Sequence, residues 1–237
     1  QLPVLQHLLM RVWDEWKERR LEIVSEEGGV TVRRPHREAH EGEAIDLCCY
    51  EAVGGMARAL SHHADEAFNE LPDERHREVA EKVFKALTEK GTDNREIRRQ
   101  ITLGELCAET AATLAETRAV VEAFRRPGRS FLMPPAGVEL NAESLIDISH
   151  ESLIRNWERL SKWVDEEAQS ARAYRRLAET AILYREGKEP PLQDPALQLA
   201  LDWRDKTKPH KAWADHYHPG YEAVVTYLDD SVAAREK

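Results

Sequence analysis

Apolar residues recur at three- and four-residue intervals through most of this chain, which restricts it to a fold built mainly from helices. In the first segment Leu2, Leu5, Leu9, Val12, Trp13 and Trp16 share one face, with Arg11, Glu15, Lys17 and Glu18 on the other. Gly28-Gly29 is expected to stop this helix. Residues 25–44 are polar, contain Gly, Pro and His, and read as a loop with a short extended piece at Val30–Val32. A short helix over Leu47–Val53 ends at Gly54-Gly55, and a longer one carries Met56, Leu60, Ala64, Ala67, Phe68 and Leu71 on one face.

Leu71-Pro72-Asp73 marks a boundary. Proline suits the first turn of the next helix, which turns Val79, Val83, Phe84 and Leu87 inward and is expected to end at Gly91. Arg95–Ile101 is a short extended candidate. Thr102-Leu103-Gly104-Glu105 then reads as a capping box, in which hydroxyl and carboxylate satisfy each other's backbone donors. A helix over Leu114–Phe124 stops before Pro127-Gly128, and two strand-like runs follow, Ser130–Met133 and Leu145–Ile148. Helix, short strand, two helices and a hairpin are the order of a winged-helix domain, here residues 72–150.

From Glu151 the chain is helical again, with Leu153, Ile154, Trp157, Leu160 and Val164 in one stripe. Helicity resumes through Ala171–Arg185 and breaks at Glu189-Pro190-Pro191. Ala196–Trp203 and Tyr221–Ala234 are further helices, separated by a His- and Pro-containing loop at 207–220. The fold class is therefore mainly α: a helical bundle, a winged-helix domain with a small β-hairpin wing, and a C-terminal helical connector.

Charge and composition narrow the function. The net charge is −10 (34 basic and 44 acidic residues), which does not suit a protein that mainly grips a phosphate backbone. No apolar run approaches a membrane span. The three cysteines include the adjacent pair Cys48 and Cys49 and point to thiols in a reducing cytoplasm. No G-x-x-x-x-G-K-[ST] loop is present, since the only Gly-Lys, Gly187-Lys188, is followed by Glu189. No G-x-S-x-G elbow is present either, so no catalytic residue is assigned and this fragment alone is not expected to be an enzyme.

Ile148-Ser149-His150-Glu151-Ser152-Leu153-Ile154-Arg155-Asn156-Trp157 is the most informative stretch. It reads as a buried strand ending in Ser-His and followed at once by an amphipathic helix. A histidine there lies beside the unpaired N–H groups of a helix start, where a phosphate could be met. His150-Glu151 begins like H-E-x-x-H, but Ile154 stands where the second zinc ligand is needed, so a metal role fails. His62-His63 and His210, His216 and His218 lack a paired Cys or carboxylate at ligand spacing, and no metal residue is assigned. On the expected recognition helix Glu116, Arg118, Glu122 and Arg125 face outward, a mixed set. Arg95, Arg98, Arg99, Arg125, Arg126 and Arg129 could form a local basic patch. A winged-helix DNA-binding transcriptional regulator is the alternative reading.

Four blocks in order resemble the bacterial STAND signalling NTPases, most closely the conflict-system, defence-related type often joined to a WD-repeat propeller. They are Gln1–Trp13, Tyr50-Glu51-Ala52-Val53-Gly54-Gly55, Ala64-Asp65-Glu66-Ala67 and Ile148–Trp157. The resemblance implies a switch ATPase in which ADP holds a P-loop core closed and exchange for ATP permits assembly. It implies lid helices in 1–71 following a P-loop core that lies outside this chain, the winged helix in 72–150, and connector helices in 151–237 leading to a sensor repeat domain. By the same resemblance Pro3 corresponds to the lid proline that packs on adenine. His150 corresponds to the winged-helix histidine that contacts the β-phosphate of ADP. Here the local sequence is Ile-Ser-His-Glu where immune-receptor relatives have Met-His-Asp, which leaves Glu151 without an assigned role. ADP or ATP is then the cofactor of the parent protein, with none expected on the isolated fragment. The partners are the core and sensor domains of the same polypeptide and a homo-oligomer on activation, with neither nucleic acid nor membrane.

Overall fold

A computed structural model describes residues 2–19, 21–27, 30–35, 47–91 and 95–236, and it is mainly α-helical. Helix α1 (Leu2–Arg19) is followed by an antiparallel hairpin, β1 (Leu21–Glu27) and β2 (Val30–Pro35), then α2 (Leu47–Ala52) and α3 (Gly55–Asn69). Strand β1 is a departure from expectation, because the helix gives way to extended chain at Leu21. Ile23 of β1 pairs with Arg33 of β2 and Ser25 with Val32, and the register shifts between them at Val24. Gly28-Gly29, the expected stop, and residues 36–44 of the expected loop lie outside the described residues. The α2–α3 corner rests on Gly54 and Gly55, both at positive φ (85° and 62°). A Cβ on Gly54 would stand 2.9 Å from the His62 ring, and one on Gly55 3.1 Å from the Tyr50 ring, so both backbone and space require glycine.

Helix α4 (Glu74–Ala86) starts at Asp73, whose carboxylate accepts from the His76 N–H at 2.9 Å. Pro72 therefore stands before the cap rather than in the first turn, and the acceptor that Asp73 offers decides the start. The helix also ends before Gly91, because Thr88–Lys90 leaves it as β3 and pairs with β4 (Glu96–Arg98). Strand β5 (Ile101–Thr102) leads into α5 (Leu103–Thr110) through the expected capping box at Thr102 and Glu105. A second box, Thr113 with Glu116, opens α6 (Leu114–Arg125). Strands β6 (Leu132–Met133) and β7 (Leu145–Ile148) complete an antiparallel sheet in the order β5-β7-β6.

The chain then forms α7 (Ser152–Asn156) and the long α8 (Glu158–Arg185). The expected single apolar stripe is thus broken at Trp157, whose backbone is extended (φ −86°, ψ 101°). The break places the Trp157 indole fully inside the core while its Nε1–H donates to Asp65 Oδ1 of α3 at 3.0 Å. Helices α9 (Ala196–Thr207), α10 (Lys211–Tyr217) and α11 (Tyr221–Arg235) follow. Helix α10 occupies what the sequence presents as loop 207–220. It forms because Ala214 is fully buried and Trp213 and Tyr217 pack against the C-terminal cluster.

Three apolar clusters hold these elements. The largest runs from Leu60 to Val164 and joins α3 to α4, α5, α6, β7, α7 and the start of α8. The 71/72 junction falls within it. Phe84 sits at its centre, edge-on to Phe124 at 4.8 Å and to Trp157 at 5.0 Å, and Trp157 is edge-on to Trp163 at 5.4 Å. A small cluster of Leu8, Val12, Cys49, Val53 and Ala59 ties α1 and α2 to α3. A third, with Tyr174, Leu197, Val224 and Tyr227, binds the distal part of α8 to α9–α11.

Trp157 therefore combines core volume with a long-range hydrogen bond, and two substitutions separate the contributions. Trp157→Ala is expected to cost about 3–5 kcal/mol through the cavity it opens. Trp157→Phe keeps most of the packing and loses the bond, at about 1–2 kcal/mol. Urea unfolding followed by far-ultraviolet circular dichroism measures both.

Candidate functional site

The β7–α7 junction is set by its neighbours. Ile146 and Ile148 of β7 are fully buried, and the Ser149 N–H donates to the Phe131 carbonyl at 2.9 Å, carrying the sheet one residue further. His150 emerges exposed at the end of that strand. Its carbonyl accepts from the Leu153 N–H at 3.0 Å and its Nδ1 accepts from the Ser152 N–H at 3.1 Å. The ring thus supplies the first turn of α7 with an acceptor, as Asn or Asp would at a helix cap. Because Nδ1 accepts, the neutral ring carries its proton on Nε2, an N–H donor that has no partner among the described residues. Glu151 turns along the helix to Arg155 at 3.2 Å.

Behind this junction Asp65 Oδ1 takes two donors, the Trp157 indole at 3.0 Å and Arg159 Nε at 2.8 Å. Ser61 Oγ, one turn earlier on α3, accepts from the Glu158 N–H at 3.4 Å. The Arg159 guanidinium also lies 4.4 Å over the Phe68 ring. Helix α3 is bound in the same way on its other side. Glu66 receives Arg11 of α1 through two bonds of 2.7 and 2.8 Å, and Tyr50 Oη accepts from the Met56 N–H at 3.2 Å. The four sequence blocks are therefore one assembly, with α3 as the piece that the other three touch. Pro3 lies in the first turn of α1, and its side chain is outside the described set.

A pair of histidines marks the contact between α1, α3 and the chain leading into β6. His7 Nε2 and His63 Nδ1 are 2.9 Å apart, and both rings pack on Phe131, at 5.5 and 5.2 Å. Burial, then the Arg11 charge, lowers the His7 pKa from 6.5 to about 4. Burial first, then Arg11, His7 and Arg129, lowers His63 to about 3. Glu66 and Glu70 also lie beside the pair, on Arg11 and Arg129. His62, the neighbour of His63, points to solvent, as adjacent residues on a helix must diverge.

The other candidates disperse. His210 bonds the Glu109 carbonyl at 3.0 Å, His216 packs edge-on against Tyr217, and the His218 carbonyl accepts from Tyr174 Oη. Among the described residues no group of three His, Cys, Asp or Glu side chains comes together to hold a metal ion. The basic patch is equally consumed. Arg125, expected to face outward, is 3% exposed and donates to the Pro134, Pro135 and Val138 carbonyls and to Glu122. Arg118 donates to the Leu140 carbonyl, Arg99 holds Glu109 through two 2.7 Å bonds, and Arg98 and Arg129 hold Asp147 and Glu70. A buried carbonyl cluster recruits Arg125 inward, a demand that helical periodicity does not reveal. The residues that sequence reasoning missed are His7 and Trp157. Each lies on a helix-period stripe that looks like ordinary packing.

A family model described as "Novel STAND NTPase 1" matches residues 1–191, and the chain belongs to that family. No curated protein and no solved structure matches it.

The His7–His63 pair gives a signed pH dependence. Both pKa values are depressed on folding, so below about pH 6.5 the unfolded chain binds more protons than the folded one. Stability is therefore level above that pH and falls as the pH drops towards 4. Lowering the pH from 7.5 to 5.0 is expected to cost about 4 kcal/mol through this pair, about 2 from each ring. His210 and His216 are lowered in the same direction by burial and add to the total. The measurement is the difference between the wild type and His63→Gln in urea unfolding at the two pH values, with the smaller loss expected in the variant.

Proposed function

We propose that this chain is the nucleotide-state-sensing, regulatory part of a STAND signal-transduction ATPase, which keeps the switch closed while ADP is bound. The observation that carries the reading is the His150 ring. It accepts from the Ser152 N–H at the start of α7 through one nitrogen and offers the other as an outward donor, on a junction that Asp65 holds against α3. The family match supports the class. In this reading residues 1–71 are the lid, 72–150 the winged helix and 151–237 the connector to a sensor domain. The order α4, β5, α5, α6, β6, β7 and the three-stranded antiparallel sheet support the winged-helix assignment. ADP or ATP sits on a P-loop core of the same polypeptide, Pro3 faces the adenine and His150 donates to the β-phosphate. The chain alone hydrolyses nothing, because the P-loop is supplied by that core. Its compartment is the cytoplasm, and among the described residues no helix is long and apolar enough to cross a membrane.

A DNA-binding role draws no support from the site, since Arg98, Arg99, Arg118, Arg125 and Arg129 are held by acceptors within the chain. A donor to phosphate contributes about 1.5–3 kcal/mol if made in the ADP state alone, and biases the switch by that amount.

Two substitutions in the polypeptide that joins this chain to its P-loop core separate capping from nucleotide contact. His150→Ala removes both nitrogens, whereas His150→Asn keeps an acceptor for the Ser152 N–H while its shorter amide no longer places a donor where the Nε2–H stood. Both are expected to release ADP about 10-fold faster or more. Wild-type release from His150→Asn, with fast release from His150→Ala, would reduce the histidine to a cap.

A further inference from the structure

A cavity of about 470 Å³ lies between α8, α9 and α11. Leu197, Ala200 and Leu201 pack the first part of α9 onto the C-terminal cluster, and the cavity opens along the rest of that helix, from Trp203 to Lys208. Its walls are three rings, Tyr174, Trp203 and Tyr221, and three aliphatic side chains, Val224, Val225 and Leu228. The donor of each ring is used inside the chain. Tyr174 Oη donates to the His218 carbonyl at 2.8 Å, Trp203 Nε1 to Ser170 Oγ at 3.2 Å and Tyr221 Oη to the Pro209 carbonyl at 3.1 Å. The rings therefore offer the cavity apolar surface and no free N–H or O–H. The opening, where Asp205, Lys208 and Val225 are exposed, has no excess of either charge. Its basic residues, Arg204 and Lys208, are matched in number by Asp205 and Asp229, which lie 3.7 and 3.5 Å from Arg204.

We propose that this cavity is a binding site for a small, uncharged, flat aromatic molecule, with the half-buried Trp203 and Tyr221 as the rings it touches. Its volume falls within the range of about 300–1,000 Å³ that small-molecule sites occupy. The Tyr174 and Trp203 rings run nearly parallel, with 22° between their planes, so the wall they form is flat. Water in the cavity finds no donor on the rings, and its displacement by an apolar ring is favourable. A charged molecule would give up its hydration for those same walls and would meet no net counter-charge at the opening. Bound there, the molecule touches α8, α9 and α11 at once and ties the second part of α9 to the C-terminal cluster. The proposal uses neither His150 nor the nucleotide reading.

The test is isothermal titration of the full 237-residue chain with three probes that share one ring and differ in charge: indole, indole-3-acetate and tryptamine. Indole is expected to saturate one site with a dissociation constant of about 1 mM or tighter, and each ion to bind about 5-fold more weakly or worse. Val225→Trp, which fills the cavity from its exposed edge, is expected to weaken indole binding about 10-fold or more. The same change at Val138, exposed in the connection between β6 and β7, keeps the affinity within about 2-fold. Should Val225→Trp lower the melting temperature, Val225→Asp, which sets a charge in the wall, carries the test with the same expected loss. Absence of saturable indole binding overturns the proposal, as does equal or tighter binding of either ion or unchanged affinity in the Val225 variants. A dimer in sedimentation that Val225→Asp dissociates would assign the cavity to a second copy of the chain and overturn it as well.

Discussion

One carboxylate oxygen, Asp65 Oδ1, receives an indole N–H and a guanidinium N–H from the two sides of a helix break, and the geometry of the junction follows from it. A helix running unbroken from Ser152 into α8 would carry Trp157 around with the apolar stripe. The extended backbone at Trp157 instead drops the ring into the core, where an unpaired indole N–H would cost the full desolvation of a polar group. Asp65 removes that cost, and Arg159 keeps the carboxylate balanced by a positive charge. Short helix α7 is then pinned at its end by α3 and at its start by the His150 ring, so the exposed imidazole inherits its position from a residue 85 positions earlier in the chain.

Charge is handled in the same way across the molecule. The chain has a net charge of −10, yet the arginines near the sheet are drawn inward or onto neighbouring carboxylates, and Arg125 serves three backbone carbonyls. The histidine pair at the contact of α1 with α3 stays neutral because burial disfavours the charged rings and the Arg11 charge adds to that effect. Tyr217 is likewise held as a phenol, its pKa raised by burial and by Glu167, so that it can donate to that carboxylate. The contacts between α1, α3, the sheet and the C-terminal helices thus set paired polar groups on apolar clusters, with Arg118 Nε, Asp147 Oδ1 and His218 Nδ1 buried and unpartnered among the described residues. Such joints are specific in geometry, and each is sensitive to loss of a single partner.

Much of this was legible in the sequence where the signal is local. The 3.6 period located α1, α3, α4 and α6, and the Thr102 capping box set the start of α5. Thr113-x-x-Glu116 carried the same signal for α6. Gly54-Gly55 marked a corner that has no room for a side chain. The failures share a cause. Trp157 fits the apolar stripe, and only a partner 92 residues away makes it a break. His7 and His63 are separated by 56 residues, and neither has a local pattern that distinguishes it. Strand β1 ends in polar Ser25, Glu26 and Glu27 and shows no sustained alternation. Helix α10 is short and flanked by histidine and proline, and forms on surface that the distal helices provide. As for the site, His150 was visible as a strand-to-helix residue, but the acceptor role of Nδ1 required the backbone of Ser152 in place.

The central claim is that α3 positions the His150 junction through Asp65. Hydrogen–deuterium exchange on the Asp65→Asn chain tests it most directly. The amides of Leu153, Arg155 and Trp157 should exchange faster than in the wild type, by about 10-fold or more for a lost charge-assisted bond, while α9 and α11 stay protected. Unchanged exchange in α7 would contradict the claim, and so would a uniform acceleration that includes α9 and α11.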